Sequence, residues 1–334
     1  MSIRGDGIKR IAVEEAFAVA EQIEELARLA ETTPGYDPDL MLAKRQTDGG
    51  PTTKSLLDLE GDRLQLMDEA GLDLTLLLLT APGIQMFAPD MAVEMATRTN
   101  DMLAALVGRH PTRFAALAAV APQEPEAAAR EIERAMTKLG HHGVVINSHT
   151  GGEYLDEEKF WPILEAAEAH DAPIYIHPRA PIPLMAQAFR KNHLEHAIYG
   201  FQVETGLHGL RLITSGIFDR FPKLKIVLGH AGEGLPFWID RIDYMHAKPR
   251  GRPTLKAPPS HYLRENFYFT TSGMNWHKQV RFLVDAAGAD RVMFAADYPY
   301  QKMAEEVALM DTAPISDAER RQVYATTAEK VFKL

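Results

Sequence analysis

Glu14, His177, His230 and Asp297 each stand at the end of a short apolar run, and together they could hold a divalent metal ion. Glu14 follows IAV (11–13), His177 follows PIYI (173–176), His230 follows KIVLG (225–229) and Asp297 follows VMFAA (292–296). A carboxylate delivered by a buried strand costs roughly several kcal/mol unless it is paired or bound to metal. Asp297 therefore reads as a metal ligand or an acid. Pro299, two residues on, cannot donate to a ladder and stops the strand. The sequence has no cysteine, so a metal must be held by His, Asp or Glu, donors that suit Zn²⁺, Mn²⁺ or Fe²⁺ over softer ions. Taken singly, each residue has a plainer reading. A histidine after an apolar run is often a hydrogen-bonded structural one, and a glutamate there is often a charge at a helix start, which is the reading for Glu15. Four such groups at equivalent positions point instead to one mononuclear site.

Equivalent positions require an architecture that aligns strand ends. Apolar runs at 10–13, 72–80, 114–120, 143–147, 173–177, 225–230, 266–270 and 291–297 read as strands, and most are followed by a stretch of helical spacing. Such alternation implies βαβ units and a parallel sheet, and eight units suggest a (β/α)₈ barrel of the α/β class. An open doubly wound sheet is weakened by the lack of a glycine-rich loop after the first strand. Residues 1–334 read as a single barrel domain with lid insertions near 18–55, 179–200 and 247–265. The stretch 33–53 shows no periodicity and reads as an irregular lid. Barrel active sites lie at the C-terminal strand ends, which also bring Asn147, Ser148 and His149, and Thr270, Thr271 and Ser272, toward the same face. His110, His141, His142, His170, His193, His196 and His261 read as solvated, while His246 and His277 stay undecided.

The net charge of −10 argues against nucleic acid or an anionic membrane as partner. The composition, 46% hydrophobic and 25% charged, is that of an ordinary soluble chain. No apolar stretch approaches the ~18 residues of a membrane span, and the first residues lack the apolar core of a signal peptide. The expected location is cytoplasmic.

Longer stretches carry a resemblance. AVEEAF (12–17), INSHT (146–150), YLDEE (154–158), YIHP (175–178), VETGLH (203–208), GHAGEGLP (229–236), RIDYMH (241–246), TTSG (270–273) and RVMFAADYPYQ (291–301) resemble the metal-dependent decarboxylase branch of the amidohydrolase superfamily. Within it the 5-carboxyvanillate type is most similar, with the γ-resorcylate and 2,3-dihydroxybenzoate types nearby. The resemblance implies non-oxidative decarboxylation of an ortho-hydroxybenzoate. It implies Glu14, His177 and Asp297 as metal ligands, and Asp297 also as the acid that protonates the ring. His230 would stand beside the metal, oriented by Glu233. Tyr300 would line the pocket. Arg241 would bind a substrate anion in the neighbouring subunit of a homodimer or homotetramer, and Arg45, or Lys44 beside it, would supply a lid cation. Ala16 stands where many hydrolases of the superfamily carry a further histidine ligand. Two carboxylates and one histidine favour Mn²⁺ ahead of Zn²⁺ on ligand hardness. The alternatives are a lactonase-type hydrolase using metal-bound hydroxide and a carboxymuconate-semialdehyde-type decarboxylase. A barrel that only binds an aromatic acid is a further rival, from a different class.

Overall fold

The apolar runs form strands, and every strand pair is parallel. The computed structural model describes residues 3–248, 251 and 253–334. In chain order the strands are β1 Ile11–Phe17, β2 Leu74–Leu79, β3 Phe114–Ala116, β4 Ala118–Ala119, β5 Val144–Asn147, β6 Ile174–His177, β7 Ile226–Leu228, β8 Phe267–Thr270 and β9 Val292–Met293. They pair in sequence order, β1 to β3 and β4 to β9.

Two joints turn these sets into one ring. β3 and β4 are halves of one stave. Leu117 between them donates to the Leu77 carbonyl at 2.9 Å, and Ala118 donates to the Gly143 carbonyl at 2.8 Å, so the chain changes partner inside the stave. Asn100 covers this break. Its side-chain amide is buried, donates to the Ala119 carbonyl and accepts from the Ala119 N–H, both at 2.9 Å, as a neighbouring peptide would. At the other joint Val13 donates to the Phe294 carbonyl at 3.1 Å and Ala16 to the Tyr298 carbonyl at 2.8 Å. The fold is a (β/α)₈ barrel. The strands are buried along their whole length, as parallel strands covered on both faces must be. The long covering helices bury one apolar stripe. Pro89–Arg109, for example, buries Ala92, Met95, Ala96, Thr99, Asn100, Leu103 and Leu106 at three- and four-residue spacing.

Three expectations are corrected. β1 does not stop at residue 13 but runs to Phe17, with a register shift between Ala12 and Glu15, so both glutamates lie inside a strand. Glu15 is thus no helix-start charge. The stretch 33–53 is not irregular: it holds the helix Pro38–Gln46 and the start of Pro51–Leu57. The final strand is shorter than 291–297, since its ladder ends at Met293 and residues 294–298 continue alongside β1.

The first and second insertions dock on each other above the barrel mouth. Arg179 and Asp39 form a buried ion pair at 2.5 Å, and Asp39 also accepts from the Ala180 N–H at 3.0 Å. Tyr36 donates to Glu195 at 2.7 Å, and the His196 Nε2 lies 2.9 Å from the Pro38 carbonyl. The helix Pro38–Gln46 is thereby joined to the loop that follows His177. No helix among the described residues is long and apolar enough to cross a membrane.

Candidate metal centre

Glu14 is the centre of the site. It is buried, on β1, and its two oxygens have opposite surroundings. Oε2 accepts from the Tyr175 hydroxyl and from Thr270 Oγ1. Oε1 is buried with no hydrogen-bond partner among the described residues. It faces His177 Nε2 at 3.5 Å and His230 Nε2 at 3.9 Å, and His230 Nε2 in turn lies 3.8 Å from Asp297 Oδ2. Glu14, His230 and Asp297 each offer a ligand atom within 4.8 Å of the others. His177 adjoins this group through Glu14. A buried carboxylate oxygen with no donor is a costly arrangement, and a cation among these atoms removes that cost. The residues present therefore fit a divalent metal ion.

The tautomers support the fit. His177 Nδ1 lies 3.0 Å from Asn147 Oδ1 and 2.9 Å from the Pro178 carbonyl. Two acceptors place the proton on Nδ1 and leave Nε2 bare toward Glu14. Burial holds this imidazole down at about 4 against the pull of Glu14, so it is neutral. Asn147 is held by Gln85, which accepts from its N–H at 2.6 Å and donates to its carbonyl at 3.1 Å. Gly83 leaves room for it, since a Cβ at Gly83 would lie 2.4 Å from Asn147 Nδ2.

His230 sits in a left-handed turn after β7, with φ +47°. Its Nδ1 lies 2.8 Å from Glu233 Oε1. Burial opposes its charge, but Glu233, Glu14 and Asp297 raise the imidazole well above its ordinary range. Burial also pushes the Asp297 carboxyl up to about 6, with Glu14 adding to the rise and His230 opposing it.

Asp297 has φ +67°, a left-handed conformation that is uncommon for a residue with a side chain. Glu15 holds it there. Its carboxylate accepts from the N–H of Ala296 at 2.9 Å and from that of Tyr298 at 3.2 Å, one on each side of Asp297. The fully buried Arg63 backs this clamp: it donates to the Ala16 carbonyl at 2.7 Å and lies 4.7 Å over the Tyr298 ring. Successive strand residues face opposite sides, so the Glu14–Glu15 pair divides its work. One carboxylate faces the site and the other shapes the turn bearing Asp297.

A cavity of 290 Å³ opens above these groups. His177, His230, Asp297, Tyr300, Arg45 and Gln46 are among its lining residues. Tyr300 is fixed by Gln46 Nε2 and Thr80 Oγ1, both at 2.6 Å from its hydroxyl. Arg45, rather than Lys44, lines the cavity, and it is exposed. Glu233 lies behind His230, outside the lining. Arg241 is exposed on the helix Leu235–His246 and does not line the cavity of its own chain. Two of the histidines expected in solvent are placed otherwise. His141 is buried, with its imidazole held down to about 4 by burial, and His196 borders the cavity. Tyr175, Gln85 and Arg63 escaped the sequence reading. For Tyr175 a signal existed, because it lies two residues before His177 on one strand and so shares its face.

Comparison with known proteins places this arrangement in context. The amidohydrolase family model matches residues 53–334. A γ-resorcylate decarboxylase of Polaromonas sp. (strain JS666) is 38% identical over 338 residues, covering 97% of this chain and 98% of that protein. The 5-carboxyvanillate decarboxylase of Sphingomonas paucimobilis superposes with a TM-score of 0.95 at 43% identity, covering 98% of this chain and 100% of that one. A 5-carboxyvanillate decarboxylase of Novosphingobium aromaticivorans, solved with manganese and 4-hydroxy-3-methoxy-5-nitrobenzoic acid, superposes with a TM-score of 0.94 at 42% identity, covering 99% and 97%. The family model spans the stretches bearing His177, His230 and Asp297, the relatives match nearly the whole chain, and the chain belongs to the amidohydrolase family.

Proposed function

We propose that this protein removes CO₂ from an aromatic acid that carries a hydroxyl ortho to its carboxylate, with one divalent metal ion and no organic cofactor. The observation that carries the reading is the buried, partnerless Glu14 Oε1 beside the bare Nε2 of His177, next to a cavity lined by His177, His230 and Asp297. Glu14, His177 and Asp297 would hold the metal, with His230 beside it. Manganese, bound in the solved Novosphingobium relative, is the first candidate; Zn²⁺ accepts the same donors. When bound, the ion supplies Lewis-acid stabilisation and a grip on neighbouring carboxylate and phenol oxygens.

The chain's residues do the rest. Asp297 gives its proton to the ring carbon that bears the carboxylate. The carbon–carboxylate bond then breaks, its electrons restore the aromatic ring, and CO₂ leaves. A held acid within reach is what this step requires, and the Glu15 clamp does the holding. His230 Nε2, 3.8 Å from Asp297 Oδ2, stands where a proton must return between turnovers, and Glu233 orients it. Arg45 offers a cation to the anionic substrate at the lid, and Tyr300 forms a wall.

The direct test is a panel of 5-carboxyvanillate, γ-resorcylate, 2,3-dihydroxybenzoate and simple lactones, with the Mn²⁺-loaded protein. CO₂ equal to the aromatic acid consumed is expected. Lactone opening without CO₂ would move the same residues to a hydrolase.

Arg241 belongs to this reading as a residue acting in a second copy's cavity. It shares a helix face with Phe237, Trp238 and Tyr244, which are 67%, 54% and 66% exposed. Large aromatics grouped in this way on a monomer's surface mark a contact face. Arg241→Ala is expected to raise KM for the acid at least tenfold. A monomer in solution with full activity would refute the assignment.

A further inference from the structure

Glu14 Oε2 is boxed in from three sides. The fully buried Tyr175 hydroxyl donates to it, and Thr270 Oγ1 lies 3.0 Å from it and 3.0 Å from the Tyr175 oxygen. The third wall is backbone, since a Cβ at Gly229 would lie 3.0 Å from Oε2 and 3.2 Å from the Tyr175 hydroxyl. Each hydroxyl has one proton, and both stand ready for the same oxygen. Oε1, by contrast, has no donor among the described residues and faces the two imidazoles.

We infer that Tyr175 and Thr270 are positioning residues that make Glu14 a one-oxygen ligand. The inference rests on the metal-site reading above and says what that reading leaves open: how many positions on the ion Glu14 takes. A carboxylate free to turn can grip a cation with both oxygens. With Oε2 pinned by two hydroxyls, Glu14 would offer the ion Oε1 alone and leave room for an oxygen of the substrate. An acid that binds through both its carboxylate and its neighbouring phenol oxygen needs two adjacent free positions, so the two hydroxyls set the site up for a chelating substrate. They also hold Glu14 in place before the ion arrives, so less ordering is left to the binding step.

The test uses Mn²⁺ alone, with binding read from the loss of the free-ion electron paramagnetic resonance signal. Tyr175→Phe and Thr270→Val are each expected to weaken Mn²⁺ binding about 10- to 100-fold, the usual effect of removing a partner of a metal ligand. Thr270→Ser keeps the hydroxyl and is expected to bind within about twofold of the parent. At saturating Mn²⁺, KM for the aromatic acid is expected to rise in Tyr175→Phe by more than kcat falls, because Oε2 then competes for the substrate's position. If the parent binds Mn²⁺ and both Tyr175→Phe and Thr270→Val bind it equally well, the positioning role is overturned while the metal site stands. An unchanged KM at saturating metal overturns the one-oxygen assignment. A parent that binds no Mn²⁺ overturns the site itself.

Discussion

Asp297→Asn is expected to fold, bind Mn²⁺ and release CO₂ at least about 10³-fold more slowly than the parent, within the range for loss of a positioned general acid. Asparagine keeps the shape of the side chain and one oxygen that can face a cation. It has no carboxylic proton to give the ring. The turn should survive, because Glu15 holds the backbone N–H groups of Ala296 and Tyr298 and not the Asp297 side chain. Losing one negative charge weakens metal binding, so the rate belongs at saturating Mn²⁺, with metal content measured on the same sample. A single-turnover assay of CO₂ against bound acid is the measurement that separates chemistry from binding. Turnover within about tenfold of the parent, with metal and acid both bound, would take the proton-donor role away from Asp297 and leave it a ligand only.

The same turn shows how far local reading reaches. Asp297, His177 and His230 were legible because each breaks a rule that its own neighbours obey: an ionisable group at the end of an apolar run. The barrel was legible for a related reason, since parallel strands buried on both faces stand out as apolar stretches. Glu15 was not legible. Whether the second glutamate starts a helix or continues a strand depends on where β1 ends, and β1 is extended to Phe17 by pairing with Leu79, more than sixty residues away in sequence. The lid helix Pro38–Gln46 had good local signals. Asp37 caps it by accepting from the N–H of Asp39 and Leu40, and Pro38 occupies the first turn. Apolar periodicity does not reveal it, because its buried residues include Asp39 and Gln46, whose partners Arg179 and Tyr300 lie 140 and 254 residues away. A polar residue buried by a distant partner erases the apolar stripe by which a helix is read.

Distance hides the supports of the site as well. Asn147 looked like one of several polar residues at a strand end, and its use appears only when His177 is placed 3.0 Å from it. His141 looked solvated and is buried. Candidate ligands are therefore more visible in a sequence than the groups that orient them. A ligand is out of place among its neighbours, whereas an orienting group is ordinary until its partner arrives.

Removing the metal is expected to abolish CO₂ release and to lower the melting temperature, and Mn²⁺ should restore both. Without a cation, the Glu14 carboxylate stands as a like charge in the same pocket as Asp297 and raises the cost of ionising it. Glu14 Oε1 also lacks any donor among the described residues. A cation relieves both terms. It binds the assembled strand ends far better than an unfolded chain, so it stabilises by mass action: about 2.7 kcal/mol at a metal concentration one hundred times Kd. For a domain larger than 250 residues, that amounts to a rise of a few degrees. The rise must grow with Mn²⁺ concentration and must nearly vanish in a Glu14→Gln, His177→Ala double variant, which removes a charge and a bare imidazole together. A protein that keeps its full rate and melting temperature after exhaustive chelation, with metal content verified near zero, would separate these four residues from metal chemistry.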